Sequence, residues 1–158
     1  MERGGAVFRG VSQHNLDAKG RLAFPARHRD RLLAHCNGEV VATIDYRESC
    51  LVFYPLPEWE EIERKLIALP DLQPSAKRLK RLLIGHAQEL QVDRNGRTLV
   101  PLPLREYADL AKQVVLIGQG NKFELWDAAL WEQRRAEWLQ EAAAADADLP
   151  EALESLAL

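Results

Sequence analysis

Short apolar runs, rather than long amphipathic stretches, dominate the pattern of this chain. Glu39-Val40-Val41-Ala42-Thr43-Ile44 and Cys50-Leu51-Val52-Phe53-Tyr54 are rich in β-branched and aromatic residues, and a polar turn divides them. Runs of that length and composition predict buried strands. Gln113-Val114-Val115-Leu116-Ile117 and Lys122-Phe123-Glu124-Leu125-Trp126, divided by Gly118-Gln119-Gly120-Asn121, predict a second such pair. Weaker strands precede each pair: Val11–Leu16 and Arg21–Phe24 before the first, His86–Asp93 and Arg97–Val100 before the second. In His86–Asp93, Leu90 and Val92 alternate with Gln91 and Asp93, the period of a half-buried strand.

Prolines set the helix starts. Pro25 opens a helix to His35 with Leu32 and Leu33 inward. Pro55 and Pro57 open another through Leu69, with Trp59, Ile62 and Leu66 on one face, and Pro101 and Pro103 precede one through Leu110. Proline's fixed φ and missing N–H suit a first helical turn. Ser75 is expected to cap a helix that runs to about Leu83 and buries Leu79, Leu82 and Leu83. A last helix begins at Asp127 and carries Trp131 where the first half carries Trp59. Trp59, Trp126 and Trp131 read as core, as aromatic residues at helical spacing usually are.

One phrase occurs twice. Leu16-Asp17-Ala18-Lys19-Gly20-Arg21-Leu22-Ala23-Phe24-Pro25 returns as Val92-Asp93-Arg94-Asn95-Gly96-Arg97-Thr98-Leu99-Val100-Pro101, with Asp, Gly, Arg and Pro each displaced by 76 positions, from Asp17 to Asp93. Self-similarity of this kind governs the reading of the whole chain. It predicts two tandem units of one plan, β-turn-β-α-β-turn-β-α: a first unit over residues 7–70, a linker and helix over 71–85, a second unit over 86–140, and an acidic, alanine-rich tail over 141–158. Units so small bury little surface alone and are expected to pack on each other or on further copies. The tail reads as frayed helix or a solvated segment.

Charge sharpens this picture. The chain is 158 residues long with a formal net charge of -3. Residues 1–112 carry 18 Lys and Arg against 15 Asp and Glu, and residues 113–158 carry 3 against 9. The basic excess gathers at two foci. Arg9, Lys19, Arg21, Arg27, Arg29 and Arg31 surround the first phrase, and Lys77, Arg78, Lys80, Arg81, Arg94, Arg97 and Arg105 the second. Two local foci on a modestly acidic protein fit a polyanion site, while solvated helix faces explain Arg27–Arg31 and Lys77–Arg81 equally well. No apolar run approaches the ~20 residues of a membrane span, and no signal peptide is visible, so a cytosolic protein is expected. Cys36 and Cys50 form no metal-ligand pattern and read as small apolar fillers.

The candidate chemistry lies in the two Asp-x-x-Gly-Arg turns. Each is expected to be a hairpin tip, Asn95-Gly96 being a strong hairpin signal. Arg21 and Arg97 suit bidentate contact with phosphate or with the O6/N7 edge of guanine, and a two-stranded ribbon fits the major groove. Lys19, Arg94 and Arg9 add positive charge. Asp17 and Asp93 are expected to restrain the turns and orient the arginines, with Gly20, Asn95 and Gly96 permitting them. A purely structural turn closed by an Asp–Arg pair is the plainer alternative, and the second copy favours function. No GxSxG elbow, phosphate loop, HExxH or paired catalytic carboxylates are present. Neither an enzyme nor a cofactor, metal or small-molecule substrate is expected.

Phe8-Arg9-Gly10, both Asp-x-x-Gly-Arg phrases with their prolines, and Glu124-Leu125-Trp126 together resemble the bacterial MraZ family over about Val7 to Trp138. The resemblance implies an α+β fold of two tandem AbrB-like units of swapped-hairpin type, assembled as a ring-shaped homo-oligomer. It implies a transcriptional repressor, cytoplasmic and nucleoid-associated, that binds direct repeats of double-stranded DNA at the promoter of the division and cell-wall gene cluster. The family signature falls on Asp17 and Arg21 and on Asp93 and Arg97. Lys19 matches a common lysine that Asn95 replaces in the second copy. The competing reading is an oligomeric protein-interaction scaffold with no nucleic-acid role.

The family usually begins at Met-Phe-Arg-Gly, the place held here by Val7-Phe8-Arg9-Gly10. The native chain is therefore expected to lack Met1–Ala6, and an intact mass that includes those residues refutes this.

Overall fold

A computed structural model describes residues 6–144 and 150–158. Of the residues the native chain is expected to lack, Met1–Gly5 lie outside the described ones, and Ala6 packs half-buried against the core. The strands are β1 (Phe8–Asn15), β2 (Arg21–Ala23), β3 (Glu39–Ile44), β4 (Leu51–Pro55), β5 (Gln88–Gln91), β6 (Arg97–Leu99), β7 (Gln113–Gly120) and β8 (Phe123–Asp127). The helices are α1 (Ala26–Cys36), α2 (Leu56–Ile67), α3 (Pro74–Leu79), α4 (Leu102–Tyr107), α5 (Ala128–Ala144) and α6 (Glu151–Glu154), and a π-helical turn, Lys80–Ile84, continues α3. Pro25, Pro55 and Pro101 stand at the N-caps of α1, α2 and α4.

The strands do not pair as local hairpins around the Asp-x-x-Gly-Arg turns. β1 pairs with β7, β5 with β3, and β2 with β6, all antiparallel, so each of these ladders joins one repeat to the other. Among the described residues only β3–β4 and β7–β8 pair within a repeat. The result is a six-stranded sheet in the order β1-β7-β8-β4-β3-β5 and a separate two-stranded ribbon, β2-β6. Exchanging each strand for its repeat counterpart reverses the sheet order and leaves it unchanged. The pseudo-twofold passes between Val52 and Glu124 in the β4–β8 ladder and between Leu22 and Thr98 in the ribbon, since each of these pairs couples equivalent positions. The hairpin expectation from Asn95-Gly96 is thereby corrected. The turn forms, but its flanking strands satisfy their N–H and C=O groups on the other repeat.

The inner face of the sheet is apolar. Val40, Ala42, Ile44, Leu51, Phe53, Val114, Leu116, Phe123 and Leu125 point to a core that Leu22, Phe24, Leu32, Val100 and Leu104 close from the ribbon, α1 and α4. Phe123 sits centrally, with ring centroids 4.4 Å from Phe8, 5.2 Å from Phe24 and 4.9 Å from His28. His28 is buried beside these rings and its Nδ1 has no hydrogen-bond partner among the described residues. Burial, with Arg27 and Arg31 close by, pushes its pKa down to about 4, so the ring is neutral at pH 7. The other face carries Thr43, whose hydroxyl donates to Leu83 O at 2.6 Å, and Tyr54, whose ring lies 5.7 Å from Trp59 of α2.

Several details depart from the sequence pattern. β1 starts at Phe8 and ends at Asn15, because its ladder with β7 covers all eight residues. Gln73, not Ser75, occupies the N-cap of α3, with Pro74 in the first turn. Ala76 is the buried residue of α3, while Leu79, Leu82 and Leu83 are only half-buried. Cys50 lies buried just ahead of β4, and Cys36 ends α1 half-buried.

Residues 1–128 cluster as one compact unit and 129–158 as another. Within the second, the rings of Trp131 and Trp138 lie 5.8 Å apart, and the Arg134 guanidinium sits 5.0 Å over Trp138 while pairing with Glu137. Trp131, read from the sequence as core, is only partly buried. Glu141–Ala144 continue α5, α6 is exposed, and residues 145–149 lie outside the described ones. Among the described residues, no helix is long and apolar enough to cross a membrane.

The exchanged ladders have a direct consequence. Residues 7–70 alone retain only the β3–β4 pair, and residues 71–140 alone only β7–β8. Each piece is expected to give the circular dichroism of an unfolded chain, and an equimolar mixture to recover β signal. A cooperatively folded isolated half would contradict the topology.

Candidate nucleic-acid interface

The two turns share one backbone. Asp17 Oδ1 accepts the N–H groups of Lys19 and Arg21, both at 2.9 Å, and Asp93 Oδ1 accepts those of Asn95 at 2.8 Å and Arg97 at 2.9 Å. Gly20 N–H donates to Asp17 O and Gly96 N–H to Asp93 O, both at 2.9 Å. Asp17 N–H in turn donates to Arg21 O at 3.2 Å and Asp93 N–H to Arg97 O at 3.0 Å. A short acceptor side chain that reads its own backbone two residues on is what a tight Asx turn requires. The glycines have φ +88° and +82°, a region L side chains rarely adopt. Both also meet neighbours from the other repeat. A Cβ on Gly20 would lie 2.5 Å from the Arg105 guanidinium carbon, and one on Gly96 would lie 2.9 Å from Phe24 O.

The loops are tied together across the repeats. Phe24 N–H donates to Gly96 O at 2.8 Å, and Val100 N–H donates to Gly20 O at 3.0 Å. The loops therefore flank one three-pair ribbon. Leu22 and Thr98 point inward, while Arg21, Ala23, Arg97 and Leu99 are exposed. Arg21 pairs with Leu99 and Arg97 with Ala23, so the two arginines are diagonal neighbours on one face, a separation of about 7–8 Å. They line the same depression of about 230 Å3 with Asn15, Asp17, Leu22 and Ala23.

The two arginines differ in their partners. Arg21 Nε donates to Asp17 Oδ2 at 2.5 Å, and both side chains stay about two-fifths exposed, at 42% and 40%. Hydrogen bonds from the Arg21 backbone and side chain hold the Asp17 carboxyl down to about 2. Among the described residues no carboxylate pairs with Arg97, Arg94 or Lys19, and all three are exposed. Arg9 stands apart: Arg9–Asn15 is about 20 Å of extended strand at ~3.3 Å per residue.

The basic foci are crossed. Arg105, assigned by sequence to the second phrase, lies on the first loop at Gly20, and Arg29, assigned to the first, lies on the second at Gly96, 3.4 Å from a Cβ built there. The displacement of 76 that relates Arg29 to Arg105 was the available signal, but it becomes legible only with the strand exchange. Lys80 is spent elsewhere, on Asp71 at 2.6 Å and on Leu69 O at 2.8 Å. The fold also gathers Asp45, Cys50 and Glu124, whose ligand atoms lie within 4.8 Å of one another, and Glu124 is too far from the other two in sequence to be linked to them there. Burial raises the Cys50 thiol and the Glu124 carboxyl alike, which disfavours the charged form of each.

Comparison with known proteins agrees with this doubled architecture. The family model described as "MraZ protein, putative antitoxin-like" matches residues 7–82 and again 83–150. The chain belongs to the MraZ family. It is 87% identical over 152 residues to a protein of Halorhodospira halophila named "Transcriptional regulator MraZ", a match covering 96% of this chain and all of that relative. Proteins of the same name from Alkalilimnicola ehrlichii and Coxiella burnetii are 63% identical over 136 residues and 50% over 152. These matches cover 86% and 96% of this chain and 91% and 100% of the relatives. The two matched MraZ units are the two halves that interlock in the sheet.

The low carboxyl pKa makes the first loop acid-resistant. Because the folded value lies below the ordinary 3.8, the Asp17 contribution is complete above that pH and is lost only as pH falls through about 2. In an NMR titration the Asp17 carboxyl is expected to remain ionised at pH 3, with the Gly20 and Arg21 amide shifts unchanged down to that point. A midpoint near 4 would contradict the Asp17–Arg21 geometry.

Proposed function

We propose that this protein is a sequence-specific, DNA-binding transcriptional regulator, and that the β2–β6 ribbon is its reading surface. One observation carries the proposal: Arg21 and Arg97, from different repeats, stand exposed on the same face of a single antiparallel ribbon. A ribbon of this width enters the major groove, where arginine contacts guanine O6 and N7 bidentately. Lys19 and Arg94, at the loop tips, would lie against phosphates and release counterions. Arg9 contributes charge at the far end of β1 rather than base recognition. Asp17, Gly20, Asp93, Asn95 and Gly96 hold the loops without touching the ligand. The shared name of the relatives supports the regulatory role.

In this reading the protein represses the promoter of the division and cell-wall gene cluster from the nucleoid, as the family resemblance implies. A homo-oligomeric ring would present several ribbons to repeated promoter boxes, and linking weak contacts raises affinity through effective concentration. A scaffold role draws on the outer edges of β1 and β5 in the six-stranded sheet, which pair with no further strand among the described residues. It offers no reason for two exposed arginines on one ribbon.

Arg21→Ala is expected to weaken binding to the cognate duplex by about 1–3 kcal/mol per contacted base pair and to reduce discrimination at that position. An electrophoretic shift on promoter and scrambled duplexes checks this. Wild-type affinity and discrimination in the variant would remove Arg21 from the reading surface.

A further inference from the structure

Beside the first loop lies a cleft of about 520 Å3. It is lined by Asp17, Ala18 and Gly20 of the first repeat and by Arg105, Ala111 and Lys112 of the other. Arg105 is fixed there, because its Nε donates to Val100 O at 2.8 Å and its guanidinium lies flat across Gly20. Its two terminal amino groups have no acceptor among the described residues. Lys112 is anchored by its backbone, whose carbonyl accepts Leu16 N–H at 2.8 Å. Its side chain is exposed and meets no carboxylate among the described residues.

Asp17 is the one carboxylate of the lining, and its oxygens already accept from Lys19, Arg21 and the Arg21 side chain. A planar donor fork and an exposed ammonium lining one cleft form a seat for a tetrahedral anion. The second loop is built differently. The position equivalent to Arg105 is Arg29, whose Nε is taken by Asp30 Oδ1 at 3.0 Å. The position equivalent to Lys112 is Gly38, whose carbonyl accepts Val92 N–H at 2.8 Å in the matching place.

We propose that Arg105 and Lys112 form a seat for one backbone phosphate of the bound duplex, beside the first loop only. The proposal rests on the reading of the ribbon as a DNA-binding surface and adds an inequality between its ends. The first loop grips the phosphodiester backbone through cations lent by the second repeat, and the second loop lacks that grip. Contacts of this kind set register on the duplex and carry no base preference.

The test uses the full chain, fluorescence anisotropy, and two labelled duplexes of equal length, one selected by the wild-type protein and one scrambled. Lys112→Gln keeps the backbone anchor. It is expected to lose affinity for both duplexes by the same factor and to shallow the log–log salt slope by about 0.9 for each engaged copy. Between about 50 and 200 mM salt, the fall in affinity would then be about threefold smaller per copy. Lys65→Gln, on the exposed side of α2, is expected to match the wild type. An unchanged slope for Lys112→Gln, or a loss confined to the selected duplex, overturns the seat. If Arg21→Ala still weakens binding in that case, the ribbon reading survives, whereas a wild-type chain that binds neither duplex removes both.

Discussion

The fold depends on the refusal of two short strands to pair with their own neighbours. β2 and β6 are three residues each, too short to stand alone, and among the described residues each finds its ladder in the other repeat. The loop glycines reinforce the exchange, since the carbonyls of Gly20 and Gly96 accept from Val100 and Phe24 at the ends of the opposite strands. Buried backbone groups must be paired, so these bonds leave one arrangement of the loops relative to each other. Fixing that arrangement fixes where Arg21 and Arg97 emerge. The chemistry at the surface is thus set by a hydrogen-bond requirement beneath it.

The core follows from the same exchange. Leu22 and Thr98 cap the inner face of the sheet at the pseudo-twofold, and Phe24 and Val100 flank them. These positions recur at the displacement of the loop phrase, so the phrase encodes a buried side and an exposed side at once. Alternation in β2 and β6 puts arginine outward whenever leucine or threonine points inward. A one-residue slip would bury both guanidinium groups and expose the core, which makes the register costly to change.

Much of this was legible in the sequence. The strands Glu39–Ile44 and Gln113–Ile117 announced themselves by β-branched density, the helix starts by proline, and the doubled turn by its in-register Asp, Gly and Arg. The family, too, could be named from those residues. Pairing could not be read, because Asn95-Gly96 favours a tight turn without saying which strand lies beyond it. Local propensity is silent on partners about 100 residues away, such as Asn15 and Gln113, which join β1 to β7. For the same reason Arg105 was grouped with the nearer phrase, although it rests on the farther one. The half-burial of Leu79, Leu82 and Leu83 had no local signal either, since an apolar helical stripe looks alike whether its cover is complete or partial.

Repetition has preserved the loop backbone and let its electrostatics diverge. Arg21 is held by Asp17 through both backbone and side chain, so its guanidinium is largely ordered before anything binds. Arg97 keeps the backbone bond to Asp93 while its side chain has no ion pair among the described residues. Lys19 at the first tip has Asn95 as its counterpart, and the second loop's extra cation moves one position earlier, to Arg94. An ordered arginine loses less conformational freedom on contact than a free one, so it discriminates more sharply by geometry. A free arginine reaches more orientations and tolerates more ligands. Two identical turns joined by a pseudo-twofold therefore present unlike ends to whatever lies across them, and the ribbon has a direction that its backbone lacks.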